Sequence, residues 1–185
     1  MSEAIAFVSL DAFLDGEQTT ARRHELVGGR VYAMAGGSER HDLAAGLIYE
    51  LLAPGARSAQ CRPFTSNRLV RTRSDSCYYP DVMVACGPAP HRLYETGPAL
   101  IVEVLSPSTA DVDRREKATA YAEATSLRLL ILVDPDARRI EVARPLDGRI
   151  HDWAVFGAGQ VIATDFGDIE VDALYDVVDS VATTS

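Results

Sequence analysis

At 185 residues, with 47% hydrophobic and 24% charged positions, the chain can bury one core and is too short for two comfortable domains, so a single domain over residues 1–185 is expected. No apolar run approaches the roughly 18 residues of a membrane span, and the N-terminal MSEAIAFVSLDAF lacks the basic start and cleavage site of a secretory signal; a cytoplasmic protein with no membrane partner is expected. The net charge of −9 leaves a nucleic-acid partner open, because ten of the 27 acids fall in residues 1–17 and 165–185, and the remaining 17 face 18 bases.

In chain order, Ser9 to Leu14 reads as a short helix capped by Ser9. Arg23 to Tyr32 reads as a β-hairpin, because Gly28-Gly29 accepts the positive φ angles of a tight turn between apolar flanks. Glu25 falls on its first strand. Ser38 to Leu52 has Leu43, Leu47, Ile48, Leu51 and Leu52 at helical spacing, and Pro54-Gly55 is expected to end that helix. His41 falls in its first turn, where an exposed histidine is the default and one facing a nearby anion is the alternative.

Arg57 to Arg73 holds five arginines and no acid. A charged edge strand protected from aggregation accounts for this slightly better than a phosphate-tracking surface. Tyr79 to Ala85 and Ala99 to Leu105 read as strands, the second apolar throughout except for Glu103, as suits a central strand covered on both faces. Ser106-Pro107-Ser108-Thr109 breaks it, and Asp113 with Glu116 resembles a capping box opening a helix to Ala124. Lys117 and Tyr121, four apart, share one face of that helix.

Leu127 to Val133 is a further buried strand, Arg139 to Ala143 and Arg149 to Phe156 form a hairpin around Asp147-Gly148, and Ile169 to Val178 is a closing helix. The expected fold class is α/β (mixed α+β), a central mixed β-sheet flanked by helices, with an N-terminal helix and β-hairpin. Three cysteines without a CxxC pair argue against a disulfide framework or a zinc site, and predict small buried thiols.

Asp81 and Glu103 sit in or beside apolar, β-branched runs, where an ionised group is costly unless something binds it. Lys117 is the only lysine among 18 basic residues. Two carboxylates and a lysine could together hold a divalent cation and stabilise developing negative charge on a phosphodiester. Each has an ordinary reading as well: Asp81 satisfying backbone donors at a strand start, Glu103 paired with an arginine, Lys117 in solvent. Tyr121 reads as a packing residue with its hydroxyl at the edge.

Tyr79-Pro80-Asp81-Val82, then Val102-Glu103-Val104-Leu105-Ser106-Pro107-Ser108-Thr109, then Asp113, Lys117 and Tyr121, and Leu132-Val133-Asp134-Pro135 closely resemble the Uma-type endonuclease family, a branch of the PD-(D/E)xK nucleases. Glu25-Leu26-Val27-Gly28-Gly29 and the helix beginning near His41 match it too, so the resemblance spans nearly the whole chain. It implies a restriction-endonuclease-like core and a metal-dependent endonuclease acting on DNA. It assigns Asp81 and Glu103 as ligands of Mg²⁺ (or Mn²⁺), Lys117 as the electrophilic lysine, and Glu25 as an accessory ligand or orienting acid, with His41 and Tyr121 as accessory positions. By analogy with the parent class, a homodimer is expected.

The sequence departs from the parent pattern at Leu105, where the lysine two residues after the second acid is expected. Lys117 replaces it if its helix packs against the mouth of the sheet. Two further readings follow: a catalytically degenerate nuclease fold that binds nucleic acid or protein, and a structural module whose acids pair with arginines.

Overall fold

The structure, a computed structural model, describes residues 7–34, 36–89, 91–106 and 113–181. Ser9 caps helix α1 (Leu10–Glu17), its hydroxyl accepting from Ala12 N–H at 3.3 Å. The glycine turn joins β1 (His24–Val27) to β2 (Arg30–Ala33), with φ of +54° at Gly28 and +75° at Gly29. That two-residue turn fixes the register, so Val27 faces Arg30 and Glu25 faces Tyr32.

Helix α2 (Glu39–Ser58) runs through Pro54 rather than stopping before it. An internal proline removes one helical hydrogen bond and costs about 3 kcal/mol, but the buried stripe Ala44, Ile48, Leu52, Ala56 continues past it. Tertiary burial outweighs the local breaker here. Beside the proline, Gly55 lies under the chain at Phe166: a Cβ there would meet the Phe166 carbonyl oxygen at 1.9 Å.

Strands β3 (Arg62–Thr65), β6 (Val82–Ala85), β8 (Pro98–Val104), β9 (Leu129–Asp134), β10 (Arg139–Ala143) and β11 (Ala154–Phe156) form a six-stranded sheet ordered β11-β10-β9-β8-β6-β3. All its neighbours are antiparallel except β8 and β9. A parallel pair needs a crossover. The described part of that crossover is a π-helical turn (Asp113–Lys117) continuing into α3 (Ala118–Ala122). The expected capping by the Asp113 side chain, and Pro107 to Thr109, lie outside what is described.

A second, five-stranded sheet is ordered β2-β1-β5-β4-β7, with β4 (Leu69–Arg73), β5 (Ser76–Tyr78) and β7 (Tyr94–Glu95). The expected central mixed sheet is the six-stranded one; this second sheet is additional to it, and the two are joined through Pro80. Between β5 and β6 it has no N–H to extend a ladder, and the chain changes sheets there. A short ribbon of β12 (Val161–Ile162) and β13 (Ile169–Glu170) precedes α4 (Val171–Val181). The closing helix therefore begins two residues later than expected, and β11 begins at Ala154 rather than Arg149.

Strand β8 is buried along its whole length, as its apolar run predicts. Leu100, Val102 and Val104 pack with α2 and α4, and Ile101 packs on the opposite face with Met83, Leu130, Tyr78 and Tyr121. Glu103 shares the Ile101 side by strand alternation.

Two cysteine readings need correction. Cys61 and Cys86 form a disulfide, with Cα atoms 4.4 Å apart, and only Cys77 is a free buried thiol. Arg62 pairs with Ala85, so the residues just beyond them are cross-strand neighbours, which cysteine spacing alone does not reveal. The arginines of residues 57–73 are mostly occupied. Arg62 and Arg68 both grip the buried carboxylate of Glu95, Arg71 donates to the Tyr94 hydroxyl, and Arg73 pairs with Glu123. Among the described residues, no helix is long and apolar enough to cross a membrane.

Candidate active site

The seam where the chain leaves one sheet for the other gathers the acids. Asp81 stands one residue before β6, whose Val82 pairs with Val102, so Asp81 lies beside Glu103 on the neighbouring strand. Its Oδ2 accepts the backbone N–H of Val104 at 2.8 Å, standing in for a ladder partner. Glu25 crosses the seam from β1, its Oε1 accepting the Tyr79 N–H at 3.0 Å.

Lys117 ends the π-helical turn and reaches back toward the same seam. Its Nζ lies 3.0 Å from Glu25 Oε1 and 3.5 Å from Glu103 Oε1. π-Helical turns are rare and often found at functional sites. Asp81, Glu103 and Lys117 are 9%, 3% and 8% exposed, so all three are recessed. They line one cavity of about 410 Å³, together with Glu25, His41 and Tyr32. Lysine and carboxylates widely separated in the chain are therefore brought together.

Tyr121 differs from its expected role. It is fully buried, and its hydroxyl donates to Glu103 Oε1 at 2.5 Å instead of sitting at an edge. Its ring meets Tyr78 edge-on, with centroids 5.4 Å apart. Burial pushes the Tyr78 phenol up to about 12, so it stays neutral beside the acids.

His41 sits in the first turn of α2, where Ser38 Oγ accepts its backbone N–H. Its Nε2 is 3.3 Å from Asp81 Oδ2 and its Nδ1 3.2 Å from Asp42 Oδ1. The hydrogen bond to Asp81 holds the imidazole above its usual 6.5, against the opposing effect of burial. Gly37 leaves room for this ring, since a Cβ there would stand 2.5 Å from His41 Nδ1.

Four carboxylates, Glu25, Asp81, Glu103 and Glu116, line the recess with one lysine and one imidazole, an excess of formal negative charge that suits a cation. No group of three or more His, Cys, Asp or Glu among the described residues forms a ready metal cage. Asp81 and Glu103, on adjacent strands, are the pair of carboxylates that could approach one cation from the protein side.

Sequence reasoning missed Tyr32, Tyr78 and Tyr79 as cavity walls. For Tyr32 the signal was available: a two-residue turn at Gly28-Gly29 places it directly across from Glu25.

The Uma2 family model, described as "Putative restriction endonuclease", matches residues 10–170. Two uncharacterized proteins of Synechocystis sp., slr1290 and sll1609, are each 31% identical. The first alignment spans 80% of this chain and 78% of the relative, and the second 70% and 76%. A crystal structure from Anabaena variabilis, described as "a putative nuclease belonging to DUF820", superposes with a TM-score of 0.76 at 17% identity, covering 92% of this chain and 99% of that one. The fold is therefore of the mixed α/β, restriction-endonuclease-like kind.

Proposed function

From the premise that the chain belongs to the Uma2 family, a nuclease family by description, we propose that it is a metal-dependent endonuclease hydrolysing DNA phosphodiester bonds. One observation carries the reading: a buried carboxylate, Glu103, lies beside Asp81 and has the chain's only lysine at 3.5 Å, in a single open recess. Asp81 and Glu103 would hold Mg²⁺ or Mn²⁺, which when bound polarises a phosphate oxygen and acidifies a water.

The chain's own residues have separable tasks. Val104 N–H and His41 fix the Asp81 carboxylate in place. Tyr121 orients Glu103 through its hydroxyl. Glu25 holds the Lys117 ammonium, which supplies a fixed positive charge where negative charge develops on the phosphate. The surrounding apolar walls reduce competing water and strengthen those interactions.

A second reading, binding without cleavage, is favoured by the buried Leu105 at the parent lysine position and by the engagement of Lys117 with two carboxylates. The test pairs a cleavage assay with calorimetric titration of Mn²⁺. Under the enzyme reading, wild type nicks DNA with Mg²⁺ or Mn²⁺, and Asp81→Ala and Glu103→Ala lose both cleavage and metal binding. Metal binding without cleavage of duplex, single-stranded or branched DNA would select the second reading. Absence of both would defeat the metal site itself. By analogy a homodimer is proposed, testable by sedimentation.

A further inference from the structure

Beyond the recess, on the same side of the hairpin, a second cavity of about 660 Å³ adjoins the first, and Tyr32 and Glu116 line both. Register makes the arrangement unavoidable. Glu25 pairs with Tyr32 and Val27 with Arg30, so Tyr32 and Arg30 project from β2 on the face that carries Glu25. Phe7 covers the glycine turn. A Cβ on Gly29 would stand 2.7 Å from its ring, and the Arg30 guanidinium lies 5.8 Å from the ring centroid.

Phe7 is 73% exposed and Tyr32 50%, an unusual cost for two aromatic rings on one short surface. Arg30 and Arg115 line this outer cavity, and neither guanidinium has a carboxylate within ion-pair distance among the described residues. Arg73 also lines it, but its charge is taken by Glu123. The single acid at the junction, Glu116, disfavours a phosphate beside it, so the groups that can grip one are Arg30 and Arg115.

Resting on the endonuclease reading, we propose that this outer groove is a binding path for single-stranded DNA. Bases stack on Tyr32 and Phe7, Arg30 and Arg115 hold the backbone, and the strand leads into the Asp81–Glu103 recess. Open aromatic faces can stack only on bases that are themselves unstacked, which an intact duplex does not offer. A recess in which Asp81, Glu103 and Lys117 are each under one-tenth exposed also favours a flexible strand over a rigid double helix.

The test is fluorescence anisotropy without metal, so that binding is read apart from cleavage. The probes are a labelled oligo-dT of about 15 nucleotides and a duplex of equal length. Wild type is expected to prefer the single strand. Tyr32→Ala should weaken that binding about tenfold, within the range for loss of one stacked base, and Tyr32→Trp should retain it. Arg30→Gln with Arg115→Gln should make the salt dependence shallower by roughly 1.4 in log–log slope, two phosphate contacts' worth on a single strand. These positions are exposed, so unchanged circular dichroism and melting should accompany the losses. Equal affinity for duplex and single strand, or indifference to Tyr32→Ala, overturns the path. The two readings fail separately. A protein that never cleaves yet binds the strand through Tyr32 keeps the path and loses the enzyme. One that cleaves regardless of Tyr32, Arg30 and Arg115 keeps the enzyme and loses the path.

Discussion

Lys117 Nζ lies nearer to Glu25, at 3.0 Å, than to Glu103, at 3.5 Å, so the closer of these two partners is on the hairpin of the other sheet. The contact joins the crossover after β8 to strand β1 and closes the seam at which Asp81 emerges. Removing the cation would leave two recessed carboxylates facing each other. Lys117→Met is expected to lower stability by about 3 kcal/mol, the cost typical of breaking a buried pair from one side, and to abolish any cleavage. Adding Glu25→Gln should recover a large part of the stability but none of the activity. Urea unfolding of the two variants checks this, and equal instability of both would refute the pairing.

Tyr121→Phe keeps the ring against Tyr78 and deletes the donor to Glu103. A buried acceptor that loses a partner costs about 1–3 kcal/mol. The expected outcome is a loss in that range with the fold intact. If Glu103 acts as proposed, Mn²⁺ affinity should change as well. A melting curve identical to wild type would show that the hydroxyl carries no weight.

Gly55→Ala separates tertiary packing from helix propensity. In an exposed helix the change should stabilise by about 1 kcal/mol. Here the new Cβ meets backbone at Phe166, and backbone cannot swing aside as a side chain can. Destabilisation of more than about 2 kcal/mol is expected instead, measured by thermal unfolding. A gain in stability would show that the segment around Phe166 yields easily.

Asp179 on α4 meets Arg40 of α2 at 2.7 Å and Arg138 at 2.9 Å, tying the two helices that cover one face of the six-stranded sheet. The hydrogen bond from Arg40, then that from Arg138, holds its carboxyl below the usual 3.8. A depressed folded value means the contribution is complete above the unfolded value and vanishes as pH falls through the folded one. Asp179→Asn should therefore be less stable than wild type near neutrality, and the two should converge below about pH 3.8. A constant gap across an acid titration of the unfolding midpoint would contradict this.

The reach of local signals can be judged from particular residues. The apolar run around Glu103 predicts a covered strand because continuous β-branched residues have no solvent face, and β8 is that strand. Gly28-Gly29 predicts the hairpin because few other residues accept consecutive positive φ angles, and it also implies that Tyr32 faces Glu25. Pro54 misleads in the other direction. Its cost is local, whereas the burial of Ala56 depends on partners distant in the chain.

What the amino-acid order determined alone was the set of periodicities, turns and family motifs, since these depend on neighbours a few positions apart. Only the tertiary structure decided that the chain passes from the five-stranded to the six-stranded sheet at Pro80, that Cys61 meets Cys86, and that Lys117 leans on Glu25. Those facts depend on strand order, and strand order follows from which apolar faces bury each other across long loops. A charge or thiol takes its partner from that packing, whatever its spacing along the chain.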